Sequence, residues 1–350
     1  MSKLDSTRPA ALGYRWPAEW ESHEATWLAW PLKNQSWPGN LSAAQSEFVQ
    51  LVCVLAPSEP VRILVSGSSA MDEAARLLGS KENIELYGVP TNKAWLRDNG
   101  PIFLQSTNHA DAALMDWLFN SCGGKEPPFD LDNAVPRELA DLLAMRRFNP
   151  GFVLEGGGID GNGRGTILTT KSCLLDRQRN PTMDEPIVLR YLSNYLGMKQ
   201  LIWLPGTELV GDDTDGHVDQ LARFVNSNTI LYASCNDTDD ENYISLAANE
   251  KMLSESADSN GRQWKIIPLP IPAPVYHDGA RLPASYCEFY IANSVVVVPA
   301  FDDPHDQLAR EKIKQCFPDR DVVSLPATEI LRGRGGFHRL TLQQCLSQAK

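Results

Sequence analysis

Asn293-Ser294-Val295-Val296-Val297-Val298, followed after a short polar stretch by residues 305–318, carries the pattern that decides the fold. A run of four valines reads as a buried strand, and the Asn-Ser pair ahead of it marks a tight hairpin turn. The 305–318 segment then sets Ala309, Ile313, Cys316 and Phe317 on one helical stripe. A hairpin strand leading into an amphipathic helix is the signature of an α/β chain whose sheets are not purely parallel.

The same alternation extends in both directions. Helical periodicity places Phe48, Leu51, Val52 and Leu55 on one face of 43–57, and Leu139, Leu142 and Leu143 on one face of 136–147. Further helices are predicted at 69–79, 186–198 and 241–257. Strands are predicted at 61–65, 102–104, 166–168 and 201–204, with a second hairpin turning at Asn226-Ser227-Asn228. The stretch 106–135, with Gly123-Gly124 and Pro127-Pro128, reads as a long loop. No Pro/Ser/Gly-rich linker divides the chain and no repeat is visible by residue identity, so residues 1–350 read as a single domain.

Composition narrows the function. Lys plus Arg is 32 against 44 Asp plus Glu, a formal charge of −12, which argues against a phosphate-binding surface and so against nucleic acid as partner. No stretch approaches the roughly 20 apolar residues that span a bilayer, and the first ten residues lack the apolar core of a signal peptide. The seven cysteines are scattered and never form a CxxC pair, a pattern of reduced thiols. A cytoplasmic protein is the expectation.

The densest polar cluster is Gly211-Asp212-Asp213-Thr214-Asp215-Gly216-His217-Val218-Asp219. Its carboxylates repel one another unless a cation or a catalytic task uses them, or the segment is a solvated acidic turn. A calcium loop is disfavoured by the missing closing Glu and the wrong spacing. If the segment is a strand, His217 and Asp219 point to one side and present an acid/base and a carboxylate to one pocket. Arg97-Asp98-Asn99-Gly100-Pro101 follows Trp95; Glu155 precedes Gly156-Gly157-Gly158. The formal match of 156–161 to a dinucleotide fingerprint lacks the helix that would hold a pyrophosphate, so a close backbone approach is the better use of the triglycine. GxSxG, P-loop and HExxH motifs are absent.

These pieces together resemble one family, the agmatine deiminases and Porphyromonas-type peptidylarginine deiminases. The resemblance rests on Trp16-Pro-Ala-Glu-Trp-Glu-Ser-His-Glu-Ala-Thr-Trp-Leu-Ala-Trp-Pro31, Trp95-Leu-Arg-Asp-Asn-Gly-Pro101, Glu155-Gly-Gly-Gly158, Cys173-Leu-Leu-Asp-Arg-Gln-Arg-Asn-Pro181, Asp213-Thr-Asp-Gly-His-Val-Asp219 and Ser285-Tyr286, and runs from about residue 14 to 344. It implies a pentein fold, an α/β propeller of five pseudo-repeated units around a central funnel. It also implies hydrolysis of agmatine to N-carbamoylputrescine and ammonia, a putrescine-forming reaction that uses a covalent thiol and no metal or organic cofactor. A homodimer or larger assembly is implied as well. A guanidinium stays protonated and is best held by carboxylates. The resemblance assigns that clamp to Asp98 and Asp219, acid/base work to His217, orientation of the imidazole to Glu155, packing of substrate methylenes to Trp95, and a distal ammonium to Asp213. A peptidyl or free arginine substrate would instead need a basic partner for its carboxylate, for which Arg97, Arg223 and Arg334 are the candidates.

The resemblance breaks near the carboxyl end. The family's nucleophilic cysteine lies in a Gly-Gly-x-x-His-Cys-x-Thr context, whereas this chain reads Gly335-Gly336-Phe337-His338-Arg339-Leu340-Thr341. A protonated guanidinium cannot attack an amidine carbon. Cys345 is six residues on, about 20 Å along an extended strand. Glu288 stands where the family has asparagine, and Cys122 where it has tryptophan. Arg339 either turns into the pocket and reaches Asp98 or Asp219 as an internal substrate mimic, or is displaced outward and leaves the pocket empty. Three readings follow: a family hydrolase, a guanidine-binding protein without turnover, or a metal-dependent hydrolase built on the 212–219 loop.

Overall fold

The computed structural model describes residues 7–32, 36–108 and 111–347. The hairpin and helix that open the sequence reading are both present. Tyr290–Ile291 pairs antiparallel with Val295–Ala300, and helix His305–Cys316 then leads to Asp321–Pro326, which lies parallel to the valine strand. Ala309 and Ile313 are fully buried, so the predicted stripe is the packed face.

This unit recurs. Ile102–Ser106, Ala112–Met115, helix Asp130–Leu142 and Arg146–Phe148 repeat it, as do Ile159–Gly161, Thr166–Thr170, helix Glu185–Leu196 and Gln200–Leu204. So do Ala222–Asn226, Thr229–Ser234, helix Tyr243–Glu255 and Lys265–Pro270. In the remaining sheet the hairpin partner comes from the far end of the chain. Leu342–Cys345 pairs antiparallel with His23–Ala29, which lies parallel to Val61–Leu64 after helix Leu41–Leu55. Ile84–Tyr87 extends that sheet and Tyr14–Arg15 edges the next one. Among the described residues there are thus five sheets of three or four strands, and a separate two-stranded hairpin at Tyr276–His277 and Ala280–Arg281.

In every unit a short helical turn immediately precedes the first strand of the hairpin: Leu96–Asn99, Gly156–Gly158, Val218–Gln220, Tyr286–Glu288 and Phe337–Leu340. The repeat is one of backbone geometry and not of residue identity, so it is invisible to a residue-by-residue reading.

Two sequence expectations need correction. Residues 106–135 are not a long loop: they contain strand Ala112–Met115, the turn Ser121–Gly124 and the start of helix Asp130–Leu142, with 109–110 outside the described residues. The predicted helix 136–147 begins six residues earlier and ends before strand Arg146–Phe148. Pro136, the first residue of the predicted range, sits inside the helix. Asp130 and Asp132 occupy the first turn, where acidic groups suit the helix dipole. Asp132 is buried and accepts the backbone N–H of Asn92 at 2.7 Å, pinning the helix to the segment that leads to Trp95. The helix predicted at 186–198 is found at Glu185–Leu196, because Asp184 caps it through the Ile187 N–H at 2.9 Å and Gly197, at φ 72°, ends it.

Phe48 is fully buried on helix Leu41–Leu55, with its ring set edge-on to Trp30 at 5.4 Å. Phe48→Ala is expected to destabilise the chain by about 3–5 kcal/mol, read as a lowered urea midpoint at unchanged slope.

Candidate functional site

Trp95 and Asp98 stand on the Leu96–Asn99 turn, Glu155 just ahead of Gly156–Gly158, and His217 and Asp219 at Val218–Gln220. Glu288 ends Tyr286–Glu288, and His338 and Arg339 lie on Phe337–Leu340. Five equivalent places in the fold therefore meet. Three of these turns come together at Gly157, where an added Cβ would come within 2.7 Å of His217 Nδ1 and 2.8 Å of both Asp219 Oδ2 and Asp98 Oδ1. The triglycine is used for close approach, as its composition suggested.

His217 and Asp219 do face one centre, but not because they alternate on a strand. The strand starts at Ala222, and a 3-10 turn presents both residues. His217 Nδ1 lies 3.4 Å from Asp98 Oδ1 and Nε2 lies 3.5 Å from Glu155 Oε2. Burial opposes the imidazolium, yet Asp98, Cys173 and Glu155 around it outweigh burial and hold its pKa well above the ordinary range. Glu155 is buried too. Arg179, whose Nε donates to its Oε2 at 2.7 Å, and His217 overcome that burial and bring its pKa down to about 2.

Arg339 points inward. Its Nε donates to Asp98 Oδ2 at 2.7 Å and its Nη1 to Asp213 Oδ1 at 2.9 Å and the Arg334 carbonyl at 2.9 Å. The guanidinium carbon sits 5.0 Å from the ring centroid of Trp95, which is braced by Trp37 at 5.2 Å. Nη2 meets only the sulfur of Cys122, at 4.0 Å. The side chain is 5% exposed. Of the two placements the sequence left open, the inward one is found. The carboxylates that hold it are Asp98 and Asp213, however, and Asp219 is not among them.

Arg339 forms part of the wall of a small pocket, which Trp95, Asp98, Phe119, Cys122 and Asp213 also line, with Lys93 and Lys125 among its other residues. Arg97 is turned away from this pocket. Its guanidinium is buried against Glu19 Oε2 at 3.1 Å and Gln343 Oε1 at 2.6 Å, so it ties the turn to the carboxyl-terminal strand instead of facing a ligand. Arg223 is committed as well, to Asp160 at 2.6 Å and Glu19 at 3.0 Å.

The acidic run at 212–219 is divided among separate partners. Asp212 organises its own turn by accepting the N–H of Thr214 at 3.0 Å and of Gly216 at 2.8 Å. Asp213 goes to Arg339, Asp215 to Arg179 at 2.6 Å and Lys125 at 2.7 Å, and Asp219 to His338 Nδ1 at 2.7 Å. The carboxylates do not converge on a shared cation position. Elsewhere Glu155, Cys173 and His217 cluster, as do Asp219, Glu288 and His338, but Arg179 already takes Glu155 and both ring nitrogens of His338 are engaged.

Sequence reasoning missed four contributors: Arg179, Glu19, Cys122 as a pocket wall, and Cys173, whose sulfur is 4.0 Å from Glu155 Oε2. Arg179 and Cys173 lie inside a motif already singled out, and a buried arginine opposite a lone buried glutamate was the available signal. Cys345 lies on the strand Leu342–Cys345, and burial pushes its thiol up to about 12. It takes no part in the site.

Comparison with known proteins agrees with this architecture. The family model described as Porphyromonas-type peptidyl-arginine deiminase matches residues 15–345. The chain is 38% identical to an agmatine deiminase of Pseudomonas aeruginosa, covering 98% of each chain, and 37% identical to a putative agmatine deiminase of Legionella pneumophila, covering 97% of each. It is similar to the solved agmatine deiminase of Enterococcus faecalis with a TM-score of 0.91 at 29% identity, over 100% of this chain and 99% of that one. A substrate-bound agmatine deiminase of C. jejuni gives 0.88 at 29% identity, over 96% and 97%. The fold is thus mixed α/β of pentein type, and the chain belongs to the agmatine deiminase and Porphyromonas-type peptidyl-arginine deiminase family of hydrolases.

Proposed function

We propose that this chain carries an agmatine-type guanidinium pocket that its own Arg339 occupies at the position of the family's thiol nucleophile. The observation that carries the reading is the Arg339 guanidinium stacked on Trp95 between Asp98 and Asp213. A guanidinium is what such a pocket recognises, and here the backbone supplies it. Each of the five turns touches the next around a ring, which supports a propeller of five units around a central funnel, with the site at its centre.

The remaining groups suit amidine hydrolysis. The imidazolium of His217 can protonate departing ammonia and then, as the neutral base, activate water. Glu155, fixed by Arg179, holds the ring from its far side. What the centre lacks is a thiol on the turn Phe337–Leu340. Cys122 is no substitute, since burial and the negative charge of Glu155 push its thiol well above the ordinary range. Agmatine is favoured over a peptidyl arginine because Arg97 and Arg223, two of the three candidate carboxylate partners, are both spent on Glu19. Asp213, at the pocket, offers a site for a cation.

Release of a ureido product from agmatine tests the reading. The chain as it stands is expected to show no turnover and Arg339→Cys to show it. Turnover by the unaltered chain would refute the assignment and direct attention to Cys173 and Cys122, each replaced in turn by serine. Arg339→Ala should also vacate the pocket. Calorimetry is expected to show agmatine binding at least about tenfold tighter than to the unaltered chain, because the ligand no longer displaces an internal cation.

A further inference from the structure

Asp219 and Glu288 form a buried pair that the reading above does not use. Atoms of Asp219, Glu288 and His338 lie within 4.8 Å of one another, and Asp219 Oδ1 and Glu288 Oε1 have no hydrogen-bond partner among the described residues. Asp219 is 1% exposed and Glu288 3%. Two carboxylates in this position cannot both be charged at modest cost, so a proton or a cation has to answer one of them.

The hydrogen bonds show where the proton goes. His338 is held between two acids, with Nδ1 at 2.7 Å from Asp219 Oδ2 and Nε2 at 2.8 Å from Glu19 Oε2. Glu19 takes Arg97 at 3.1 Å, Arg223 at 3.0 Å and the Ile291 N–H at 2.9 Å, so it is the ionised member and Nε2 carries the hydrogen that it accepts. Nδ1 then either donates to an Asp219 carboxylate or accepts from an Asp219 acid. Burial and the charges of Arg223 and Arg97 oppose a second proton on His338. Burial and Glu288 oppose charge on Asp219, with Asp98 acting in the same sense and His217 and Arg223 in the opposite one. Burial raises the Glu288 carboxyl too, but Arg339, whose backbone N–H it accepts at 3.2 Å, opposes a proton there.

We propose that Glu288 is a positioning residue that keeps Asp219 as a neutral acid donating to His338 Nδ1, and so withdraws Asp219 from guanidinium recognition. This accounts for Arg339 choosing Asp98 and Asp213 although Asp219 lies at the same centre. The consequence for catalysis rests on the pocket reading of the preceding subsection. Arg339 is then not the whole difference between this chain and a working hydrolase, because a thiol restored at 339 would still face a pocket one carboxylate short.

Two measurements test this. The first is difference infrared spectroscopy on the full chain with labelled aspartate, at neutral pH. A carboxylic-acid carbonyl band is expected that disappears in Asp219→Asn and also in Glu288→Gln, where the amide keeps the acceptor for the Arg339 N–H but removes the charge. Absence of the band, or its persistence in Glu288→Gln, overturns the proposal. The second uses agmatine turnover in the Arg339→Cys background. There kcat/KM should rise with pH as Asp219 loses its proton, and adding Glu288→Gln should move that rising limb toward acid by about one pH unit or more, a gain of about tenfold at a fixed pH on the limb. An unmoved limb overturns the proposal. If neither variant turns over agmatine while the infrared band behaves as described, the pocket reading fails and the protonation of Asp219 stands.

Discussion

Carboxylates can be gathered out of water only where each is met by a cation, a hydrogen-bond donor or a proton, and this centre gathers Glu19, Asp98, Glu155, Asp213, Asp219 and Glu288. All but Asp213 are buried. Arg97 and Arg223 answer Glu19, Arg179 answers Glu155, and Arg339 answers Asp98 and Asp213. His217 lies between Asp98 and Glu155 and takes up the charge that remains there. Removing one partner from such a set leaves an uncompensated charge, at a cost of about 3–5 kcal/mol. The arginine at 339 is therefore as much an electrostatic component of the interior as an occupant of a pocket.

The frame explains how acids from distant parts of the chain come to share one place. Each unit presents a short turn ahead of its hairpin, and Asp98, Asp219, Glu288, His338 and Arg339 ride on those turns, with Glu155 and His217 immediately before them. The last turn, Phe337–Leu340, is fixed by strand Leu342–Cys345, which completes the first sheet; the Gln344 side chain there accepts from Trp27 Nε1 and Arg62 Nη1, each at 2.8 Å. Closure of the sheet and placement of Arg339 are thus one event.

Three neighbouring side chains meet around the guanidinium at this centre. Arg339 touches Cys122 through Nη2 and Glu288 through its backbone N–H. A small residue at 122 leaves room for a guanidinium, and an acid at 288 adds negative charge beside it. The three positions are far apart in sequence and meet around this one group.

How much was legible from the sequence differs by level. The α/β class, the valine hairpin and the helices at 43–57, 69–79, 186–198, 241–257 and 305–318 follow from periodicity and turn chemistry, which are local. The strand at Ala112–Met115 was hidden among turn-forming residues, and the true start of the helix that contains Pro136 was set by Asp132 holding a distant backbone, a tertiary contact. Asp98, Glu155 and His217 were legible as acid and base candidates because their residue types stand out beside Gly-rich turns. Which carboxylate takes Arg339, why Arg97 faces inward to Glu19, and which acid keeps a proton depended on distances of 2.7 to 3.4 Å between segments far apart in the chain. The sequence by itself determined the chemistry available; only the tertiary structure decided its pairing, because electrostatic partners in a buried site are chosen by proximity and desolvation, neither of which is local in the chain.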